Sequence, residues 1–393
     1  IRPWDIENFS ATYAYSAYNH RDFSVASSIQ RNYRAALDYN YSNPSVKFIE
    51  PFKNVIKSDY LKLIKDINFN LVPSLINFRI DVNRVYSENT IRDNTSDNVL
   101  PTLYNKNFNM SRIYGISWDL SKSLRLDFNA TNYSIIDEPD GRLNGIKRDT
   151  MWNNFWKMGR TTDYNHMLNI AYTLPVSKLP YMDWVNVITR YGAQFTWQSE
   201  PLLSLRNPDI NVGNSIQNNR TIQVNPSLNM VGLYNKFGFI RRNSGRNAKG
   251  SKAFFIQLLT SIRKIDGAYT KMEGSYLPGY LPKTKAFGYD FDANAPGWGF
   301  LFGSQSDILQ KAINNNWLST DSLQTQLFTR SFAENLSLVA NLEPVKGLRI
   351  DLTAARTDNY NYTATVQYNS GSGTFERVTP FTTGNYSITQ IAI

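Results

Sequence analysis

Residues 112–131 read RIYGISWDLSKSLRLDFNAT, with apolar or aromatic side chains at every second position on both sides of a short polar interruption. A period of two residues is the pattern of a β-strand. Because only Ser121, Lys122 and Ser123 separate the two runs, the stretch predicts an antiparallel hairpin with a three-residue loop. One face of the hairpin is apolar and the other is polar, which is typical of a half-buried soluble sheet and equally of a membrane barrel wall.

The hairpin also predicts a register and an ion pair. Pairing Leu120 with Leu124 places Trp118 on the apolar face and Asp119 opposite Arg125. Opposite charges on directly paired positions attract each other, so we expect Asp119 and Arg125 to form a cross-strand salt bridge on the polar face.

The composition excludes several classes of protein. None of the 393 residues is Cys, so structural disulfides, Cys-based zinc sites and thiol nucleophiles are excluded. Aromatic residues make up 14% of the chain and charged residues only 19%, compared with about 25% charged residues in ordinary soluble domains. The mean hydropathy of −0.42 excludes a helical membrane protein, whereas barrel strands, which are half polar, remain compatible with it.

The formal net charge of +10 is spread along the chain without a long block. Nucleic-acid-binding proteins concentrate basic residues in a patch or stripe, so we expect no nucleic-acid partner. The densest basic segment, residues 241–252, is interpreted as a solvated loop, with contact to phosphate or lipopolysaccharide as the alternative. The sequence begins IRPW, without an initiator Met or a secretion signal, and is therefore interpreted as a processed or excised part of a longer chain.

Other segments repeat the two-residue period. The cleanest is INFRIDVN at residues 76–83. Further runs that share the period lie at residues 9–18, 29–39, 168–174, 187–197, 222–230, 254–262, 336–342 and 348–354. Two more strands are possible in the Tyr- and Thr-rich tail from residue 360, so the chain predicts roughly 13 to 16 strands.

Strand length favours a membrane wall. Both strands of the opening hairpin reach or exceed the roughly 9 to 11 residues that a tilted strand needs to cross a bilayer, whereas soluble strands usually have about 5 or 6. The phrase GLRIDLTA at residues 347–354 repeats SLRLDFNA at residues 123–130 almost position for position. One hairpin design therefore recurs, which is expected of a meander.

Three other segments are predicted to lie outside the strands. Residues 149–159 predict a short helix that ends in Gly and places Trp152, Phe155 and Trp156 on one face. Residues 199–219 lack a period and predict a long surface loop. Residues 277–326 predict a long loop insertion with one short helix, for which Ser306 is the expected N-cap.

The sequence contains no pattern typical of an enzyme. His20 and His166 are the only histidines and lie far apart, so neither a metal site nor a His-based triad is expected. Asp127, Asp351 and Glu343 occupy repeated hairpin positions, where a structural role is expected. There is no Gly-rich nucleotide-binding motif. We therefore expect no catalytic activity, no cofactor and no metal.

Several long phrases together resemble one known family. They are residues 64–84 (IKDINFNLVPSLINFRIDVNR), 164–186 (YNHMLNIAYTLPVSKLPYMDWVN), 214–236 (NSIQNNRTIQVNPSLNMVGLYNK), 277–282 (LPGYLP) with 295–300 (APGWGF), and 317–321 (WLSTD) with 335–354 (NLSLVANLEPVKGLRIDLTA). In this order they resemble the Sov/SprA family, the giant outer-membrane translocon of the Bacteroidetes type IX secretion system, which is also tied to gliding motility. The resemblance covers most of the 393 residues.

The resemblance implies that residues 1–393 form an arc of a very large antiparallel transmembrane β-barrel, with long loops and a few short helices. The expected location is the outer membrane of a Gram-negative bacterium. The implied function is a protein-conducting channel that exports folded cargo proteins carrying a C-terminal targeting domain through a lateral exit. The implied partners are outer-membrane lipid, the secreted cargo, a FadL-like barrel that docks laterally and a plug protein at the periplasmic mouth. The family pattern transfers no catalytic, gate or docking residue.

The barrel hypothesis assigns one face of the strands to lipid and the other to an aqueous lumen. An Arg or Lys side chain costs about 2–4 kcal/mol at the bilayer midplane, so the charged face is expected to line an aqueous lumen. The predicted lumen-facing residues are Arg79, Asp81, Asn83, Asp119, Arg125, Asp127, Arg349 and Asp351. The predicted lipid-facing residues are Ile76, Phe78, Ile80, Val82, Trp118, Leu124, Leu126, Phe128, Leu348 and Ile350.

Two other classes of protein are compatible with the residues alone. One is a secreted all-β module that binds glycans or proteins through a platform of Tyr and Trp side chains. The other is a barrel that acts as a nutrient receptor, which would need an N-terminal plug domain. Solubility as a folded monomer without detergent is the property that would separate the first of these from a barrel.

Overall fold

Twelve strands form one sheet in the computed structural model, which describes residues 2–56, 58–92, 100–207, 209–243, 256, 258–285, 287–345 and 347–389. Every strand pairs in antiparallel fashion with its neighbours in the chain, so the sheet is a meander. The prediction of an all-β, antiparallel fold is confirmed. The sheet is open, because in the described residues the first and last strands each pair on one side only.

The strands are long. They are β1 (Phe9–His20), β2 (Val25–Ser42), β3 (Leu75–Ile91), β4 (Leu103–Ser121), β5 (Leu124–Ile135), β6 (Arg160–Leu174), β7 (Val185–Gln198), β8 (Asn214–Asn229), β9 (Ile262–Tyr280), β10 (Leu327–Val345), β11 (Leu348–Asn369) and β12 (Thr374–Thr389). The shortest contain 12 residues and the longest contains 22, more than twice the usual length of about 5 or 6. The twelve strands of the described residues are fewer than the predicted 13 to 16, because the described part of the tail continues β11 and adds one strand, β12.

The helices are short. They are α1 (Lys62–Lys65), α2 (Gly145–Trp156), α3 (Leu202–Arg206), α4 (Met230–Tyr234), α5 (Gly238–Asn243), α6 (Trp298–Leu301) and α7 (Ile308–Asn314), with 3₁₀ turns at Ile6–Asn8, Asp59–Leu61 and Pro175–Lys178. The helix predicted at residues 149–159 is α2, which begins four residues earlier. Among the described residues, no helix is long and apolar enough to cross a membrane.

The hairpin of residues 112–131, the organising hairpin, has a register that differs slightly from the prediction. Asp119 faces Arg125 as expected. Ser121 rather than Leu120 pairs with Leu124, because a bulge adds one residue to the first strand. The loop therefore contains two residues instead of three.

The predicted ion pair between Asp119 and Arg125 is correct only in part. Arg125 Nη1 lies 3.8 Å from Asp119 Oδ1, whereas its Nε lies 2.9 Å from Asp127 Oδ2 on the same strand. The Asp119 carboxylate instead accepts a hydrogen bond from the hydroxyl of Ser74, which ends the preceding connection. The guanidinium group of Arg125 therefore lies between Asp119 and Asp127, two acidic side chains on the same face of the hairpin.

Strand β9 is the main element that the sequence patterns missed. One side of this strand carries Lys271 and Glu273, and the other carries Met272 and Gly274. The alternation of apolar and polar residues is therefore lost in β9, because the charged residues Lys271 and Glu273 occupy the side that is apolar elsewhere in the sheet. The strand continues to Tyr280, so the long insertion begins at residue 281 rather than 277.

Two neighbouring predictions are also corrected. Residues 199–219 are not a loop throughout, because β8 begins at Asn214 with polar side chains on both of its sides. The run at residues 254–262 is not a strand before Ile262, since Ile256 and Leu258 lie in a helical turn and Phe254 lies outside the described residues. In the basic segment 241–252, the side chains lie outside the described residues.

A compact insertion, the cap (residues 281–326), covers one side of the sheet. It contributes Leu301, Leu309 and Ala312 to a buried cluster with Phe195 and Ile216 of the sheet. The predicted N-cap of its second helix is wrong by one residue, since Asp307 rather than Ser306 accepts the hydrogen bond from the backbone N–H of Gln310 at 3.1 Å. The cap is therefore folded rather than an irregular loop.

Asn218 fastens the cap to β8. Its side-chain amide donates to the carbonyl oxygens of Phe300 at 3.0 Å and Ser304 at 2.9 Å, and its own oxygen accepts from Gln305 at 3.2 Å. The side chain is fully buried. A complete set of buried partners makes this residue a fixed anchor.

We predict that Asn218→Ala loosens the cap. The change leaves two buried carbonyl oxygens without their donor and should lower the free energy of unfolding by about 3 kcal/mol. Limited proteolysis should then cut within residues 281–326 faster than in the wild type. Gln217→Ala is the control, because Gln217 is the exposed neighbour on the opposite side of the same strand. Equal cutting of both variants would contradict the anchoring role.

Candidate functional site

The register divides the side chains between two faces of the sheet. Face A is the face that carries Ile116, and face B is the face that carries Gly115. One row of directly paired residues crosses face A from β3 to β11, and it contains Ile76, Ile116, Phe128, Leu168, Ala193, Arg220, Glu273, Phe332 and Tyr360. The cap lies on face A, because Phe195 and Asn218 belong to that face.

Face A carries an apolar band that ends at a charge boundary. In β3 and in β8 to β11 the band begins near the end opposite to the cap and continues until the first charged side chain, whereas β5, β6 and β7 carry no Asp, Glu, Lys or Arg on face A in the described residues. The first charged side chain is Arg84 in β3, Arg220 in β8 and Arg356 in β11. Between this boundary and the end opposite to the cap, the face A positions of β3, β8, β10 and β11 carry no charge in the described residues.

The charge boundary slants across the sheet. Positions are counted along each strand from the row of directly paired residues that runs from Ile76 to Tyr360. Arg84 lies eight positions from this row toward the cap end, Arg220 lies on the row, and Arg356 lies four positions toward the opposite end. The boundary therefore moves by twelve positions over the eight steps from β3 to β11, about 1.5 residues per strand. Lys271 in β9 and Glu334 in β10 fall between these points and fit the same slant.

Face B is mainly polar. It carries asparagine in almost every strand, at positions 77, 83, 109, 129, 169, 219, 225, 335, 341 and 359. Arg79 bridges two acidic neighbours there, with Nη1 2.7 Å from Asp38 and Nε 2.5 Å from Asp81. Met167 and Met272 are among the apolar exceptions. The face is thus a mainly polar surface on which some of the charges, including Arg79, are paired.

Glycines on face B make room for the asparagine side chains. A Cβ at Gly115 would collide with the side chain of Asn77 on the adjacent strand. At Gly274 it would collide with Asn219 and would approach Ser331 Oγ to 2.9 Å. The small residues therefore keep this face flat, because each neighbouring amide lies across the space that a side chain would fill.

The predicted site residues fall on the two faces as the sequence pattern requires. All eight predicted lumen-facing residues lie on face B, and all ten predicted lipid-facing residues lie on face A. What each face contacts stays a prediction. The sequence did not indicate that part of face A is covered by the cap, because the insertion lacks any period that would assign it to a face.

His166 has a structural position. It is 1% exposed, and its Nε2 donates to the carbonyl oxygen of Leu301 in the cap at 2.8 Å. The hydroxyl of Tyr164 lies 3.1 Å from its Nδ1. Among the described residues, no group of three His, Asp or Glu side chains is arranged to hold a metal ion.

A second contact joins the cap to the connection between β7 and β8. Asp321 accepts hydrogen bonds from the backbone N–H groups of Leu323 at 2.9 Å and Asn211 at 2.7 Å. These bonds favour the ionised carboxylate and lower the pKa of Asp321 below its ordinary value. The cap is therefore held at its edge as well as at its centre.

The opposite end of the sheet carries a separate anchor. Lys122, in the turn of the organising hairpin, donates to Glu50 in the connection 43–74, and Lys53 lies 2.5 Å from the same carboxylate. Hydrogen bonds from these two cations, with the larger effect from Lys122, lower the pKa of Glu50 to about 2. The connection is thereby tied to the hairpin turn.

No family model matches the chain, and no curated protein matches its sequence. The function is therefore inferred from the geometry of the two faces and from the sequence resemblance.

The anchor at Glu50 predicts a pH dependence. Its lowered pKa means that its stabilising contribution is present above the ordinary value of 4.5 and is lost as the pH falls through about 2. Pepsin at pH 3.5 should therefore cleave the connection 43–74 slowly in the wild type and rapidly in Glu50→Gln. Glu7→Gln is the control, and equal protection of all three proteins would refute the anchor.

The packing of face B predicts the effect of adding one methyl group. Gly274→Ala should lower the free energy of unfolding by about 1–3 kcal/mol, because Asn219 and Ser331 must both move. Denaturant unfolding measures this difference. Gly238→Ala is the matched control, since nothing lies within 4 Å of the added carbon. Similar stability of the two variants would show that face B is not closely packed.

Proposed function

We propose that this chain forms an arc of a large transmembrane β-barrel in the outer membrane of a Gram-negative bacterium, and that the barrel conducts folded proteins outward. The observation that carries the proposal is the slanted charge boundary of face A. Face A then contacts lipid along its apolar band, and face B lines the aqueous lumen.

The slant supports a barrel through its geometry. Strands of a barrel tilt against the barrel axis, so a horizontal membrane surface must cross successive strands at shifted register positions. With a rise of about 3.3 Å per residue and a spacing of about 4.8 Å between strands, a shift of about 1.5 residues per strand corresponds to a tilt of about 45°. Strands of membrane barrels tilt by about 35–45°.

The height of the band is compatible with a bilayer. On β3 the band extends from Ile76 to Val82, seven residues or roughly 24 Å along the strand at about 3.4 Å per residue. Tilted by about 45°, this length covers about 17 Å along the membrane normal, which fits within the apolar height of about 25 Å in outer-membrane barrels.

The open sheet supports a wide barrel. About eight strands are enough to close a narrow one. Here twelve strands remain open, with β1 and β12 each paired on one side in the described residues. Both edges offer unpaired backbone groups, which further strands would satisfy in a complete barrel. A barrel of more than twelve strands encloses a wider lumen than one of eight strands, as the passage of folded cargo requires.

Face B suits the passage of folded proteins. Its asparagine side chains can hydrogen-bond to water, and several of its charges are paired within the sheet, as Arg79 is with Asp38 and Asp81. A hydrated surface without a large apolar patch offers little adhesion to a protein that moves past it. The channel itself is passive, and the direction of transport comes from the cargo and the partners.

The cap end is proposed to lie at the cell surface, because outer-membrane barrels carry their longer loops on the extracellular side. In this orientation the cap and α2 cover the outside of the wall above the lipid. The partners follow from the resemblance alone. They are secreted cargo with a C-terminal targeting domain, a FadL-like barrel at the lateral exit and a plug protein at the periplasmic mouth.

We predict that Leu338→Arg prevents membrane assembly. Leu338 lies on face A within the band and is 41% exposed, so the change would be harmless in a soluble sheet. In a bilayer it should cost about 2–4 kcal/mol. The measurement is the amount of protein that reaches the outer membrane and resists urea extraction.

Ser337→Arg is the matched control for that variant. Ser337 is the exposed neighbour of Leu338 and lies on face B, where an arginine would meet water. We expect normal assembly of this variant. Equal assembly of both variants, or recovery of the wild type as a soluble folded monomer without detergent, would refute the barrel and favour a secreted binding module.

A further inference from the structure

A cavity of about 540 Å³ lies on face A between α2 and strands β1 to β4. Its floor is apolar and includes Val82 and the buried Phe108, and its roof includes the buried Met151 of α2. Phe155 of α2 stacks on Phe108 with the ring centres 5.9 Å apart. The helix therefore forms a fixed roof over an apolar cleft.

The cavity opens where the apolar band ends. Val82 is the last apolar residue of the band on β3, and Arg84 is the first charge beyond it. Both side chains line the cavity. An amphiphilic molecule that lies along the band therefore has its polar end at the level of the cavity mouth.

The charges around the mouth are mainly positive. Five arginines line the cavity, at positions 31, 34, 84, 142 and 148, together with the single acid Glu88. Of these, Arg34 belongs to face B. Arg84 is neutralised by Glu138, with Nε 2.5 Å from the carboxylate. Arg142 approaches Glu88 only to 3.8 Å.

Two of the arginines keep their charge available. In the described part of the chain, Arg31 and Arg148 have no acidic side chain within 4.0 Å. Both side chains are exposed, one on β2 and one on α2, so they approach the mouth from opposite sides. A guanidinium group presents a planar fork of N–H donors that matches a phosphate group.

We propose that this cavity binds a membrane lipid that carries a phosphate group. An acyl chain lies on the floor formed by Val82 and Phe108, and the phosphate lies between Arg31, Arg142 and Arg148. This inference rests on the proposed membrane location. An inorganic phosphate ion would leave the apolar floor unfilled, so the shape and the charge together favour a lipid.

The test uses the intact protein inserted into vesicles of phosphatidylcholine with a minor fraction of phosphatidylglycerol. After extraction in a neutral detergent, native mass spectrometry measures how strongly phosphatidylglycerol is enriched on the protein over its fraction in the vesicle. We expect the double variant Arg31→Gln, Arg148→Gln to reduce this enrichment about tenfold, because each arginine near a membrane surface contributes substantially to anionic lipid binding.

The control is the double variant Arg190→Gln, Arg349→Gln, which removes two exposed arginines from face B and should retain the enrichment. Val82→Phe tests the floor separately, since it reduces the cavity without changing charge and should also lower the enrichment. Protease protection of the inserted protein verifies that each variant assembles.

Three results would overturn the lipid site. They are equal enrichment in the wild type and the Arg31, Arg148 variant, equal loss in the face B control, and displacement of the lipid by excess inorganic phosphate, which would assign the arginines to a free anion. A protein that does not insert into vesicles contradicts the proposed function instead. A protein that inserts without enrichment contradicts only the lipid site.

Discussion

The backbone ladder is the constraint on which the rest of this protein depends. Twelve long strands paired in one register leave each side chain only two choices, face A or face B, and a shift of one residue would exchange them. The register therefore places the alternating apolar and polar residues of the sequence on two surfaces, one mainly apolar and one mainly polar. It also converts the positions of the first charge on β3 and on β8 to β11 into a line, and the slant of that line is visible only once the eight pairings from β3 to β11 are fixed together.

The cap depends on the same ladder. Asn218 and His166 lie on face A near the charge boundary, so their side chains reach the cap beyond the end of the apolar band. Buried polar groups of this kind require complete hydrogen bonding, and the cap supplies it through the carbonyl oxygens of Leu301, Phe300 and Ser304. In the proposed barrel this network lies on the outer surface above the lipid, so the cap leaves the face B wall of the lumen uncovered.

The sequence predicted the parts of the fold that repeat a period. The hairpin of residues 112–131 and its repeat at 347–354 have clean alternation, and their faces were assigned correctly relative to each other. Prediction failed where tertiary contacts reverse the pattern, as in β9, whose Lys271 and Glu273 occupy face A because Arg220 lies beside them. It also failed for the bulge at Leu120, since an added residue leaves no signal in a short polar turn.

The covered parts of face A restrict where a lateral partner could dock in the proposed barrel. Helix α2 covers β3 and β4 near the cavity, and the cap covers the strands around β7 and β8. Strand β12 is exposed along nearly its whole length, and so is β1. A lateral exit needs a wall that can separate without breaking a packed core. The centre of the sheet does not meet that need, because opening there would disrupt the hydrogen bonds and the buried cluster that hold the cap.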